Sequence, residues 1–124
     1  MILITGGAYQ GKLDFAKREF AVREAEIYTC DGITIDFSKR CIDRIEEFCW
    51  ACVLQGIEPK AYFQDHCDQW QNHILICQDI FCGVVPIDPD QREWRQATGR
   101  LCQYLAGEAT QVSRMFCGLE QRLK

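Results

Sequence analysis

The chain has 124 residues, 48% hydrophobic and 26% charged, and carries a formal net charge of -4. That length holds one domain with one proper core, and the composition excludes a disordered chain. The acidic balance argues against a nucleic-acid partner, which needs a basic face, and no apolar run approaches the ~20 residues that cross a bilayer.

Residues 1–5 form an apolar run that breaks at Gly6 and Gly7, the pattern of a buried strand entering a loop. A helix is expected from Gly11 to about Arg23, with Phe15, Ala16 and Phe20 on its apolar face. Residues 26–29 read as a second strand, closed by a turn at Asp31 and Gly32. Residues 33–35 fit either an edge strand or an extended lead-in. A longer helix, capped by Asp36 or Ser38, is expected to run to about Gln55, and Pro59 opens another that reaches about Gln71. Residues 73–77 are the next strand. A loop with Gly83, Pro86 and Pro89 follows, then a helix from near Arg92 to Leu105 or slightly beyond. Residues 112–117 suggest a last strand, ended by Gly118 and followed by a polar tail. Strands alternating with helices predict an α/β domain of three layers around a mainly parallel sheet of four or five strands. Ligands in such a sheet bind at the carboxyl ends of the strands, which would place the loops after Thr5 and after Cys77 in one cleft. Met1 leads directly into the first strand with no secretory signal, so a cytoplasmic setting is expected.

Nine cysteines, odd in number and scattered, read as reduced thiols that pack as small apolar side chains. Cys49 and Cys52 form the only CxxC pair. With Phe37, Cys41 and Ile45 they fall on one helical stripe, which favours burial over a metal or redox role.

The chemistry-bearing motif is Gly6, Gly7, Ala8, Tyr9, Gln10, Gly11, Lys12 and Leu13, which matches G-x-x-x-x-G-K-[ST] at every fixed position except the last. Glycines let consecutive N–H groups turn inward around a phosphate, the following helix adds its positive end, and Lys12 reaches the outer phosphates. Lys12 is thus the candidate catalytic residue. Leu13 stands where a hydroxyl normally coordinates Mg²⁺, so metal-assisted phosphoryl transfer is the step placed in doubt. Arg92, Arg95 and Gly99 share a helical face after the second loop; the arginines either present charge to an anionic ligand or form a solvated face paired with Asp88, Asp90 and Glu93. Gly99 inside a helix suggests close approach by another element.

Residues 1–8 with Gly11 and Lys12 resemble the opening of the adenosylcobinamide kinase/adenosylcobinamide-phosphate guanylyltransferase family, an apolar strand followed by T-G-G-A-R-S-G-K-S. Gln78, Asp79, Ile80, Phe81, Cys82, Gly83, Val84, Val85 and Pro86 are similar to its N-E-V-G-x-G-I-V-P. Arg92, Arg95, Gly99, Arg100, Gln103, Leu105 and Ala106 follow its R-x-x-R-D-x-x-G-R-x-N-Q-x-L-A. The resemblance covers about the first 25 residues and the last 50. It implies a P-loop NTPase-like fold, ATP or GTP at the first loop, and a second cleft loop carrying Asp79, Gly83, Val85 and Pro86. It also implies anion contacts from Arg92, Arg95 and Arg100, a corrinoid hydroxyl as phosphate acceptor, and a homo-oligomer built through sheet edges. Family members are longer; the stretch with their guanylylated histidine and acidic Walker B-like segment has no counterpart in this reading, and neither His66 nor His73 lies in a matching motif. Tyr9, Gln10, Leu13 and Phe81 replace family residues at functional positions, which leaves two expectations open: a kinase-like enzyme of cobalamin biosynthesis, or a scaffold that has lost its catalysis.

Overall fold

A computed structural model describes all 124 residues. In chain order the elements are β1 (Ile2–Gly6), α1 (Lys12–Phe20), a 3₁₀ turn (Glu24–Glu26), β2 (Ile27–Thr29), β3 (Cys41–Asp43), α2 (Ile45–Leu54), α3 (Pro59–Asp65), β4 (Ile74–Gln78), α4 (Pro89–Glu108), β5 (Gln111–Phe116) and β6 (Leu119–Arg122). The strands form one six-stranded sheet in the order β2-β3-β4-β1-β5-β6. All neighbours are parallel except β5 and β6. β1 lies between β4 and β5, with Gly6 level with Gln78 on one side and Met115 on the other. Central parallel strands are covered on both faces, which is why β1 and β4 read as continuous apolar runs.

One face of the sheet is covered by α1, whose Phe15 and Ala16 pack with Ile4, Ile74, Ile76 and Met115. The other carries α2, α3 and α4, where Phe48, Phe63, Leu101 and Leu105 meet Leu3, Ile42, Leu75 and Val112. The expected α/β architecture with a mainly parallel sheet is present, with six strands where four or five were expected. No helix is long and apolar enough to cross a membrane.

Several element boundaries depart from expectation. The helix expected from residue 36 to 55 is instead a turn, strand β3 and the shorter α2. The stripe of Phe37, Cys41, Ile45, Cys49 and Cys52 is buried throughout, yet its first residue lies in a loop and its second in a strand. The steps of four from Phe37 to Cys49 satisfy both the helical period and the strand period of two, so that part of the stripe does not discriminate between them. Arg44, at φ 58, makes the corner between β3 and α2. The first helix stops at Phe20 rather than Arg23 because Ala21 turns left-handed at φ 53. α3 ends at Asp65, and buried Trp70 folds back to donate its indole N–H to the Phe63 carbonyl at 2.8 Å, satisfying one of the helix's terminal acceptors. α4 begins three residues earlier than expected, with Pro89 in its first turn and the Asp88 side chain accepting the Asp90 N–H at 2.8 Å.

The polar tail after Gly118 is strand β6. Cys117 and Gly118 both have positive φ, 52 and 75, which is the two-residue turn that matches the twist of a hairpin. Gly99 has open space where a side chain would stand, with nothing within 4 Å, so no element approaches it. All nine cysteines are free, and five are buried, among them Cys49 and Cys52. Burial pushes the Cys52 thiol up to about 11 and that of Cys49 well above its ordinary value, which keeps both protonated.

Candidate functional site

β1 ends against β5 so closely that a Cβ on Gly6 would lie 2.5 Å from the Met115 carbonyl oxygen, and Gly6 has φ +142. Only glycine fits there. The loop then turns through Tyr9 at φ 58, which stands fully exposed, to Gly11 at φ 91 on the threshold of α1. Inside the loop, the Lys12 ammonium donates to the Gly7 carbonyl at 2.6 Å, so its charge sits over the loop backbone.

Gln10 fastens this loop to the far end of the chain. Its side-chain oxygen accepts the Cys117 N–H at 2.6 Å, and its carbonyl accepts the Gly118 N–H at 3.1 Å. Its amide group also donates to the Ala8 carbonyl at 3.2 Å. Gly11 meets the same hairpin turn, where a Cβ in place of its hydrogen would lie 3.6 Å from the Gly118 Cα. From the other side, the Asp79 N–H reaches the Gly6 carbonyl at 3.1 Å. The loop is therefore held from both flanking strands.

A cleft of about 380 Å³ opens beside the loop, lined by residues 8–14 together with Asp43, Arg44, Glu46, Glu47 and Gln78. It lies at the carboxyl ends of β1, β3 and β4, where a parallel sheet binds ligands. Ala8, Tyr9, Gln10, Gly11, Lys12 and Leu13 line it as expected; Gly6 and Gly7 lie behind it. Leu13 packs in part against the α1-side core.

The sequence reading missed the carboxylates. Asp43 ends β3 and Glu46 occupies the first turn of α2; both are buried. Asp43 accepts the Arg44 N–H at 2.9 Å. Glu46 accepts the Gln78 N–H at 2.9 Å, while its own carbonyl takes the Trp94 indole N–H at 2.7 Å. Burial raises the pKa of both acids above the usual carboxylate range, against the lowering effect of those backbone N–H groups and of Lys12. Asp43 thus sits at a strand end beside the glycine loop, a position hidden by the helix expected around it. A short apolar pair, Cys41 and Ile42, followed by Asp43 was the available signal.

A carboxyl whose pKa rises on folding holds its proton more tightly in the folded chain. Its cost to stability is fully present above the folded-state pKa and fades as the pH falls through it. Asp43→Asn and Glu46→Gln keep the accepting oxygens and remove the charge. Each is expected to stabilise the chain by about 1 kcal/mol at neutral pH, with the gain shrinking toward pH 4 and below. Thermal melts across that pH range check this; a loss of stability at neutral pH would contradict it.

The remaining candidates lie outside this cleft. Asp79 touches it only through the loop backbone, and faces Arg114 at 3.8 Å. Val85 lines a separate depression of about 290 Å³ with Phe81, Arg92, Arg95 and Gln96, so the two loops adjoin without sharing one cavity. Gly83 and Pro86 belong to the same loop, and Arg95 braces it with bonds to the carbonyls of Phe81, Gly83 and Val84 at 2.8, 3.2 and 2.6 Å. Arg92 bonds the Pro86 and Ile87 carbonyls. Arg100 pairs with Glu58 and Glu93 at 3.0 and 2.8 Å. Arg100 alone of the three is paired with carboxylates; Arg92 and Arg95 bond neutral carbonyls and line the depression, and neither pairs with Asp88, Asp90 or Glu93. His66 and His73 are tied to the carbonyls of Tyr62 and Phe37, each at 2.7 Å, and line neither cavity.

Comparison with curated proteins gave no match. The family model for cobinamide kinase / cobinamide phosphate guanyltransferase matches residues 57–123. That span runs from the approach to α3 through β4, the second loop, α4 and the hairpin, and it stops short of the glycine loop at the N-terminus. It covers more than half of the 124 residues, and the chain belongs to the cobinamide kinase / cobinamide phosphate guanyltransferase family.

Proposed function

We propose that the loop 6–13 is a P-loop that holds the phosphates of ATP or GTP, and that the chain resembles the kinase which phosphorylates adenosylcobinamide. Family membership supports the broader statement, a nucleotide-related role in cobalamin biosynthesis. The observation that carries the finer one is Lys12 at the head of α1, its ammonium folded over a loop that only glycine can open at position 6, at the carboxyl edge of a parallel sheet. In this reading the loop N–H groups and Lys12 hold the triphosphate, and a corrinoid side-chain hydroxyl accepts the phosphoryl group. In the same reading one of the two buried acids of the cleft, Asp43 or Glu46, takes the hydroxyl proton. A cytoplasmic setting and a homo-oligomer belong to the same reading. Histidine-mediated guanylyl transfer has no support, because both histidines are engaged outside the cleft.

When bound, Mg²⁺ neutralises charge on the transferring phosphoryl group. Leu13 offers it no oxygen, which leaves Asp43 and Glu46 as the buried carboxylates of the cleft able to hold it. That same leucine, packed in part against the core, favours a second reading: a scaffold that binds nucleotide without turning it over.

Calorimetric titration of ATP and GTP with and without Mg²⁺ separates the outcomes. The kinase reading expects binding that Mg²⁺ strengthens, and turnover that rises in Leu13→Ser. Binding indifferent to Mg²⁺, with no turnover in Leu13→Ser, selects the scaffold. If neither nucleotide binds, the phosphate-loop reading fails.

A further inference from the structure

Tyr9 lies in the glycine loop, and the phosphate cradle proposed above draws only on backbone N–H groups there. The side chain is left without a task. We propose that the Tyr9 ring is the nucleotide-selecting group of the cleft, stacking on the flat face of the base while the loop holds the phosphates. This rests on the phosphate-loop reading and adds what the loop backbone cannot supply, recognition of the base.

The fold makes no use of the ring. The Tyr28 hydroxyl donates to the Thr34 carbonyl, the Tyr62 hydroxyl accepts the Ile35 N–H, and Tyr104 packs edge-on against Trp70. Tyr9 alone of the four tyrosines stands fully exposed and without a partner. It also holds a left-handed backbone, φ 58, which a bulky side chain adopts at a cost and glycine adopts freely. Ala21, Arg44 and Cys117 are the other non-glycine residues with positive φ, and each turns the chain where a helix or strand ends or begins. A tyrosine within the glycine loop thus costs stability and gains no contact in the chain. Strain of this kind collects at ligand clamps.

The ring is also held in place to meet a ligand. The Gln10 amide donates to the Ala8 carbonyl at 3.2 Å and so clasps Tyr9 between its neighbours. Gln10 is in turn bonded to Cys117 and Gly118. An aromatic presented on a fixed backbone loses little freedom on binding. Tyr9 is the only aromatic residue that lines the cleft. Ala8 and Leu13 are the other apolar ones, and Leu13 is partly taken up by the core. Every other side chain of the lining carries a charge or an amide. With phosphates drawn to Lys12, the base has one aromatic face within the cleft to meet, that of Tyr9. Stacking tolerates any base, because each has a π-face. Tyr9 is therefore expected to favour nucleotides over base-free phosphates without choosing between ATP and GTP.

Calorimetric titration of ATP, GTP and inorganic tripolyphosphate is the test, each with and without Mg²⁺, on the full chain as wild type, Tyr9→Ala, Tyr9→Phe and Tyr9→Gly. Tyr9→Ala is expected to weaken ATP and GTP by a similar factor, about 5- to 100-fold, and to leave tripolyphosphate unchanged. Tyr9→Phe keeps the ring and is expected to bind all three as wild type does. Tyr9→Gly is expected to lose nucleotide affinity as Tyr9→Ala does, yet to melt at the same temperature or higher, because the left-handed strain is gone. Tripolyphosphate binding retained in a variant shows that its loop is intact. Nucleotide affinity unchanged in Tyr9→Ala, or lost together with that of tripolyphosphate, overturns the proposal. So does a Tyr9→Gly chain that melts lower, which would assign the ring to the fold. If none of the three ligands binds wild type, the phosphate loop itself fails and the role of Tyr9 falls with it.

Discussion

Gly6→Ala is expected to destabilise the chain by about 3 kcal/mol, lowering the melting temperature by on the order of 10 °C, and to abolish ligand binding at the loop. Two causes act together. A methyl group at this position would stand 2.5 Å from the Met115 carbonyl oxygen, a backbone atom that cannot move without parting β1 from β5. The φ of +142 also lies where a side chain is strained whatever the space. Gly99→Ala is the matched control, since the same methyl group there meets nothing within 4 Å and lies inside a helix. It is expected to leave stability unchanged or raise it by about 1 kcal/mol. Paired thermal melts check both. Equal melting temperatures for the two variants would show that the end of β1 yields more readily than its contact with β5 implies.

Lys12→Ala is expected to weaken ATP or GTP binding about 10- to 100-fold, the loss of a charge-assisted hydrogen bond of about 1.5–3 kcal/mol. The ammonium bonds a single carbonyl within its own loop, that of Gly7, so the melting temperature should fall far less than the affinity. Calorimetry gives the affinity and a thermal melt gives the stability of the same preparation. An unchanged affinity would mean that the nucleotide is held away from α1, and would remove Lys12 from any catalytic role. A collapse of both quantities together would assign Lys12 to the fold.

What could be read in advance followed from how many signals converged on a segment. β1 combines a fully apolar run, a glycine break and a following helix, and each points to the same strand-loop-helix unit. β4 stood out for its continuous burial. β3 was hidden because it has only three residues and its apolar spacing merges with that of α2. Asp43 and Glu46 were lost with it: on an exposed helix they look like solvated charge, and only the sheet brings them under cover beside the loop. β6 contains Glu120, Gln121 and Arg122, whose polarity suits an edge that faces water as well as it suits a tail. Arg92 and Arg95 of α4 lie near the second loop as expected, but their partners are backbone carbonyls, and carbonyls leave no mark in a residue pattern.

The bonds from Gln10 to Cys117 and Gly118 also set an order of assembly. The glycine loop spans residues 6–13, yet its supports on the β5 side come from residues more than a hundred positions later. β1 itself needs β4 and β5 as neighbours before its last residue is fixed. Contacts of such long sequence separation form late and slow folding. A nascent chain released before residue 118 would carry the whole glycine motif and lack the strand turn that shapes it. Ligand recognition at the loop therefore reports on completion of the domain, and a bound nucleotide would act as a seal on the finished fold.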